Sequence, residues 1–105
     1  MEFIETSVFT RRITEILTDE EYRYLQEKLV KNPKAGRLIP KGKGLRKYRW
    51  AASGKGKSGG ARIIYYLYLS EDQIYMLLPY KKSDQGDLTA EQMKILISYV
   101  KEGVL

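Results

Sequence analysis

Ile63-Ile-Tyr-Tyr-Leu-Tyr-Leu69 is apolar or aromatic at seven consecutive positions. A run this short with no polar interruption reads as a β-strand covered on both faces. The segment before it supplies a partner. In Gly44-Leu-Arg-Lys-Tyr-Arg-Trp50, Tyr48 and Trp50 alternate with Lys47 and Arg49, so a strand here has one apolar and one cationic face. Between the two lies Ser53-Gly-Lys-Gly-Lys-Ser-Gly-Gly60, whose four glycines and two lysines mark a basic loop. Strand, loop and strand, with Arg62 opening the second strand, form the centre of the expected fold.

Charge is distributed around the same centre. From Lys28 through Arg62 there are twelve Lys or Arg and no Asp or Glu; the remainder holds all thirteen acids against seven bases. A net charge of +6 then points to an anionic partner, and the acid-free stretch says where that partner would lie.

The flanks read as helices and further strands. Glu2–Phe9 alternates loosely as a first strand, and Thr10–Leu17 reads as a short helix. Thr18-Asp-Glu-Glu21 matches a capping box, followed by Tyr22, Leu25, Leu29 and Val30 at helical spacing until Asn32-Pro33 stops the helix. Lys34–Lys43 is a connector tacked down by Leu38 and Ile39. Ser70–Gln73 reads as a hairpin turn. Ile74–Tyr80 follows as a strand, with Pro79 at an edge or a bulge. Thr89-Ala-Glu-Gln92 is a second capping box, opening a helix with Met93, Leu96, Ile97 and Val100 on one face. The expected fold is α+β: a small antiparallel-rich twisted sheet with an N-terminal helical hairpin and a C-terminal helix, the helices on one side. The chain of 105 residues makes one domain spanning 1–105.

Composition narrows the chemistry. There is no cysteine, hence no disulfide framework, thiolate metal site or thiol nucleophile. There is no histidine, which removes the usual general base and the commonest zinc ligand. Asp84 and Asp87 share a loop without a third acid beside them, so no metal site and no cofactor are expected. No apolar run is long enough to cross a bilayer, and the acidic start Met1-Glu-Phe-Ile-Glu5 is unlike a signal peptide; a cytoplasmic protein without membrane contact is expected.

Catalysis would fall to Lys, Arg, Tyr, Asp or Glu. Lys47 and Arg49 leave one face of their strand roughly 7 Å apart, near the spacing of successive phosphates. Tyr48, Tyr65, Tyr66, Tyr68 and Tyr80 offer rings for base stacking, or alternatively fill the core. Gly54-Lys-Gly-Lys-Ser58 is not a nucleotide phosphate loop: alanines stand where its first glycine belongs, and a strand follows it. Convergence of Lys47, Arg49, Arg62 and Lys82 would favour a neutral amine able to take a proton from a ribose 2′-hydroxyl, with an arginine stabilising the phosphorane. That is metal-independent RNA cleavage. A non-catalytic RNA- or DNA-binding module would use the same basic face.

Four motifs in order, Gly44-Leu-Arg-Lys-x-Arg, then Gly-Lys-Gly-Lys-x-Gly-Gly-x-Arg-Ile-Ile-Tyr-Tyr66, then Leu77-Leu-x-Tyr-x-Lys82, then Asp87-Leu-x-x-x-Gln92, resemble the RelE/HigB-type toxins of bacterial toxin–antitoxin systems, in particular the HigB2-like branch. The resemblance implies a microbial-RNase-like α+β fold and a ribosome-dependent endoribonuclease, an mRNA interferase that cuts translated mRNA in the A site. It also implies ribosomal RNA contacts and a cognate antitoxin, often with a helix-turn-helix domain. Carried over, Lys47, Arg49, Arg62 and Lys82 fall on positions that contact the scissile phosphate or transfer protons. Tyr80 joins them as a candidate catalytic group, and Arg46, Lys55 and Lys57 as RNA-binding residues. Where RelE has a catalytic tyrosine near the final helix, this chain has Leu88. The general base therefore stays open among Lys47, Arg49, Lys82 and Tyr80.

Overall fold

A computed structural model describes residues 1–51 and 60–102. Strands β1 (Glu2–Glu5), β2 (Arg37–Leu38), β3 (Leu45–Trp50), β4 (Ala61–Tyr68) and β5 (Gln73–Lys81) make one mixed sheet in the order β1-β5-β4-β3-β2. Helices α1 (Ser7–Ile16), α2 (Asp19–Lys31) and α3 (Ala90–Glu102) complete an α+β fold. The β3-β4-β5 meander is antiparallel, β2 joins β3 antiparallel, and β1 runs parallel to β5.

Each helix starts where a side chain satisfies an orphan amide. Thr6 Oγ1 accepts from Phe9 N at 3.0 Å, so α1 begins at Ser7 and Phe9 is helical, correcting the expected strand through Phe9. Both expected capping boxes are present: Thr18 with Glu21, and Thr89 with Gln92, each exchanging two hydrogen bonds of 2.9–3.1 Å. Along α2, Leu25 and Leu29 are fully buried, whereas Val30, expected beside them, is half-exposed.

Strand alternation divides the core in two. On one face, Ile63, Tyr65, Ile74 and Met76 pack with Phe9, Ile13 and Leu17 of α1 and the following turn, and with Leu25 and Leu29 of α2. On the other, Leu45, Ile64, Leu77 and Leu78 pack with Leu96 of α3, joined by Met93, Ile97 and Val100. Helices therefore cover both faces, correcting the expectation of one side. The unbroken apolar run of β4 is the cause: its even positions need cover as much as its odd ones.

Two local features matter for the site. Tyr65 Oη accepts from Gly36 N at 2.8 Å and donates to Pro33 O at 2.7 Å, which locks the connector before β2 against β4. A side chain at position 36 would collide with that hydroxyl, its Cβ lying 2.8 Å away. Pro79, expected at an edge or bulge, lies beyond the reach of β1, whose pairing ends at Met76, and next to a register shift opposite Ile64 and Tyr65. In the connector, Ile39 packs against the α3-side core while Leu38 is exposed.

Candidate functional site

The α3-side face is apolar only over part of its area. Towards the open ends of β3 and β4 its residues become Lys47, Arg49 and Arg62. Register places Arg49 opposite Arg62, and Arg62 opposite Tyr80 of β5, so the three share one row across three strands. Arg37 of β2 lies opposite Lys47. Arg37, Lys47, Arg49 and Arg62, with Ala35 and Tyr48, line a cleft of about 420 Å³ that thus carries four cations.

Arg62 is the unusual member. It is 5% exposed, and among the described residues its guanidinium has one hydrogen bond, to its own neighbour Ala61 O at 3.3 Å, and no carboxylate. Burying a charge without a counter-ion costs several kcal/mol, so such a group is kept where an anion is to be met. Tyr80 beside it is 3% exposed and its hydroxyl has no partner among the described residues. Burial pushes the Tyr80 phenol up from its ordinary value, and the Asp87 carboxylate adds to this while Arg62 opposes it.

Lys47 is not a bare cation. Its Nζ lies 3.2 Å from Asp87 Oδ1, and this is the one side-chain-to-side-chain ion pair among the described residues. Asp87 Oδ1 also accepts from Leu88 N at 2.8 Å. That backbone bond, followed by Lys47 and the charge of Lys82, holds the Asp87 carboxyl below the usual carboxylate range. The loop carrying it is braced internally: Lys82 Nζ donates to Gly86 O at 2.7 Å, and Gln85 Nε2 donates to Asp87 O at 2.9 Å. Lys82 is also tethered to the residue before β4, its amide donating to Gly60 O at 3.0 Å.

Of the residues singled out in the sequence, Lys47, Arg49 and Arg62 therefore meet in the cleft, with Tyr80 next to Arg62. Lys82 stands on the adjoining loop, where its ammonium is engaged by Gly86 and reaches Asp87 through its charge. Arg46 is placed elsewhere. It alternates to the opposite side of β3, and its guanidinium donates to Gly36 O at 2.8 Å and Lys34 O at 3.4 Å, bracing the connector. Lys55 and Lys57 lie outside the described residues. Among the tyrosines, Tyr65 belongs to the core, whereas Tyr66, Tyr68 and Tyr75 form an aromatic cluster with ring centroids 6.1–6.5 Å apart.

Arg37 and the Lys47–Asp87 pair were not foreseen as parts of the site. Arg37 sits in a connector with no strand signal, and Asp87 is 40 positions from its partner. Among the described residues no cluster of three acidic, His or Cys side chains could hold a metal ion, and no helix is long and apolar enough to cross a membrane. Compared with known protein families, the chain matches no family model.

Proposed function

We propose that this chain is a toxin of the RelE/HigB type with a RelE-like, microbial-RNase-like fold: a ribosome-dependent endoribonuclease that cuts translated mRNA in the A site. The observation that carries this reading is Arg62, a buried guanidinium without a counter-ion among the described residues, in a cleft lined by Arg37, Lys47 and Arg49. A phosphodiester is the anion that suits such a cluster, because guanidinium groups pair with phosphate oxygens through two parallel N–H donors.

In the reaction the ribose 2′-oxygen attacks the adjacent phosphorus. The 2′-proton leaves to a base, and the 5′-oxygen of the next nucleotide departs with a proton, giving a cyclic phosphate and a 5′-hydroxyl. Arg62 stabilises the extra negative charge on the phosphorane, which grows as the bond forms. Arg49 clamps a phosphate. Proton transfer falls to Lys47 or Lys82, with Tyr80 as the phenol placed beside Arg62. No step draws on a metal ion. The cognate antitoxin, ribosomal RNA contacts and a cytoplasmic location belong to the same proposal.

Primer extension on mRNA from an actively translating extract tests it, with wild type and Arg62→Ala side by side. Codon-phased cuts that require ribosomes and vanish in the variant support the interferase. A folded wild type that binds RNA and leaves it whole would instead be a non-catalytic RNA- or DNA-binding module.

A further inference from the structure

The cleft is suited to receive phosphate, yet an anion already stands at its rim, on Lys47. Asp87 is fixed there from two sides: Leu88 N holds the same oxygen that Lys47 Nζ meets, at 2.8 and 3.2 Å. Its loop is braced by Lys82 on Gly86 and by Gln85, which bonds both Asp87 O and Gln92 Oε1. The carboxylate is therefore held by its own braced loop, whereas Lys47 reaches it on a four-carbon stem that can turn elsewhere. Both side chains are open enough for exchange, with relative exposures of 34% for Lys47 and 71% for Asp87.

We propose that Asp87 is an internal competitor of the phosphodiester: it holds Lys47 in reserve, and binding of RNA requires Lys47 to exchange Asp87 for a phosphate. This rests on the nucleic-acid reading of the cleft and adds a selectivity to it. An isolated small anion gains one contact at Lys47 and loses the Asp87 pair, so it gains almost nothing there. A polyanion seated on Arg37, Arg49 and Arg62 at the same time presents its next phosphate at high local concentration and completes the exchange. Asp87 thus favours a strand of several phosphates over single phosphate ions.

Asp87→Asn tests this cleanly, because the amide oxygen still accepts from Leu88 N and keeps the loop. The measurement is fluorescence anisotropy of a 2′-O-methyl oligonucleotide, which cannot be cut, across a series of KCl concentrations. Asp87→Asn should bind roughly two- to fivefold tighter, the scale of an exposed ion pair. The slope of log affinity on log salt should steepen by about 0.7, one more counterion-releasing contact on a single strand. In a Lys47→Met background the Asp87→Asn substitution should lose most of this effect, and inorganic phosphate should compete better against the single Asp87→Asn variant than against wild type. Wild-type binding that Asp87→Asn leaves unchanged or weakens overturns the competitor and leaves the nucleic-acid reading standing. No oligonucleotide binding by wild type or variant overturns that reading and the competitor with it.

Discussion

The two faces of the sheet are made by the same strands and do different work. Beneath α1 and α2, Ile63, Tyr65, Ile74 and Met76 join one apolar cluster, and the Tyr65 hydroxyl has backbone partners. Beneath α3, the face begins the same way at Leu45 and Ile64, then turns into Arg49, Arg62 and a tyrosine whose hydroxyl has no partner among the described residues. Arg62 and Ile63 are neighbours in sequence, yet one is a buried charge and the other part of a dry core. The contrast is sharpest between two buried tyrosines. Tyr65 has both a donor and an acceptor for its hydroxyl, at 2.8 and 2.7 Å; Tyr80 has neither among the described residues. One face spends its buried groups on stability, and the other gives some stability up to keep polar groups unsatisfied.

Substitutions can break that division. The largest effect is expected from Phe9→Ala, which leaves a cavity in the α1–α2 core and should cost about 3–5 kcal/mol in urea unfolding. RNA affinity per folded molecule should stay unchanged; a drop would show that the faces are coupled. Tyr65→Phe should cost about 1–3 kcal/mol, because Gly36 N and Pro33 O lose their shared partner. Arg62→Met should go the other way, raising unfolding free energy by about 1 kcal/mol while RNA binding and cleavage are lost. A destabilised Arg62→Met would mean that the guanidinium is structural. Tyr80→Phe, the mirror of the Tyr65 change, should be neutral or stabilising by under about 1 kcal/mol.

The smallest expected effect is on pH dependence. The Asp87 carboxyl titrates lower when folded than when unfolded, so its contribution is complete above the usual carboxylate range. It is lost as pH falls through the lowered folded value. Because the group is exposed and screened, the difference between wild type and Asp87→Asn should be only a few tenths of a kcal/mol at neutral pH, shrinking towards zero in acid. Urea midpoints at two pH values would measure it.

Sequence revealed what is local. Thr18 with Glu21 and Thr89 with Gln92 are reciprocal caps three residues apart, and both helices start there. The meander followed from alternation in β3 and the run in β4. Which face a helix covers is not local: the stripe of Met93, Leu96 and Ile97 tells that α3 is buried on one side, not on which side of the sheet. The parallel pairing of β1 and the two-residue β2 depend on distant partners in the same way. In the site, Lys47, Arg49 and Arg62 were legible from their spacing along strands. The burial of Arg62 and the arrival of Asp87 were not, since both are produced by packing between segments far apart in the chain.

The position of β1 has a consequence for how the molecule is made. Gln73 bonds to Glu2 across 71 positions of sequence, and Glu2 N bonds to Asp72 O. The first strand in the chain therefore has no place to dock until β5 exists. Contacts of such long sequence separation slow folding relative to a helical protein of similar size. During synthesis Phe9, Ile13, Leu25 and Leu29 must wait for the strands they will cover, a state that chaperones recognise and that aggregates when crowded. Arg62 and Tyr80 come into register only when β4 and β5 zip together. An unfinished chain carries the cations without the cleft.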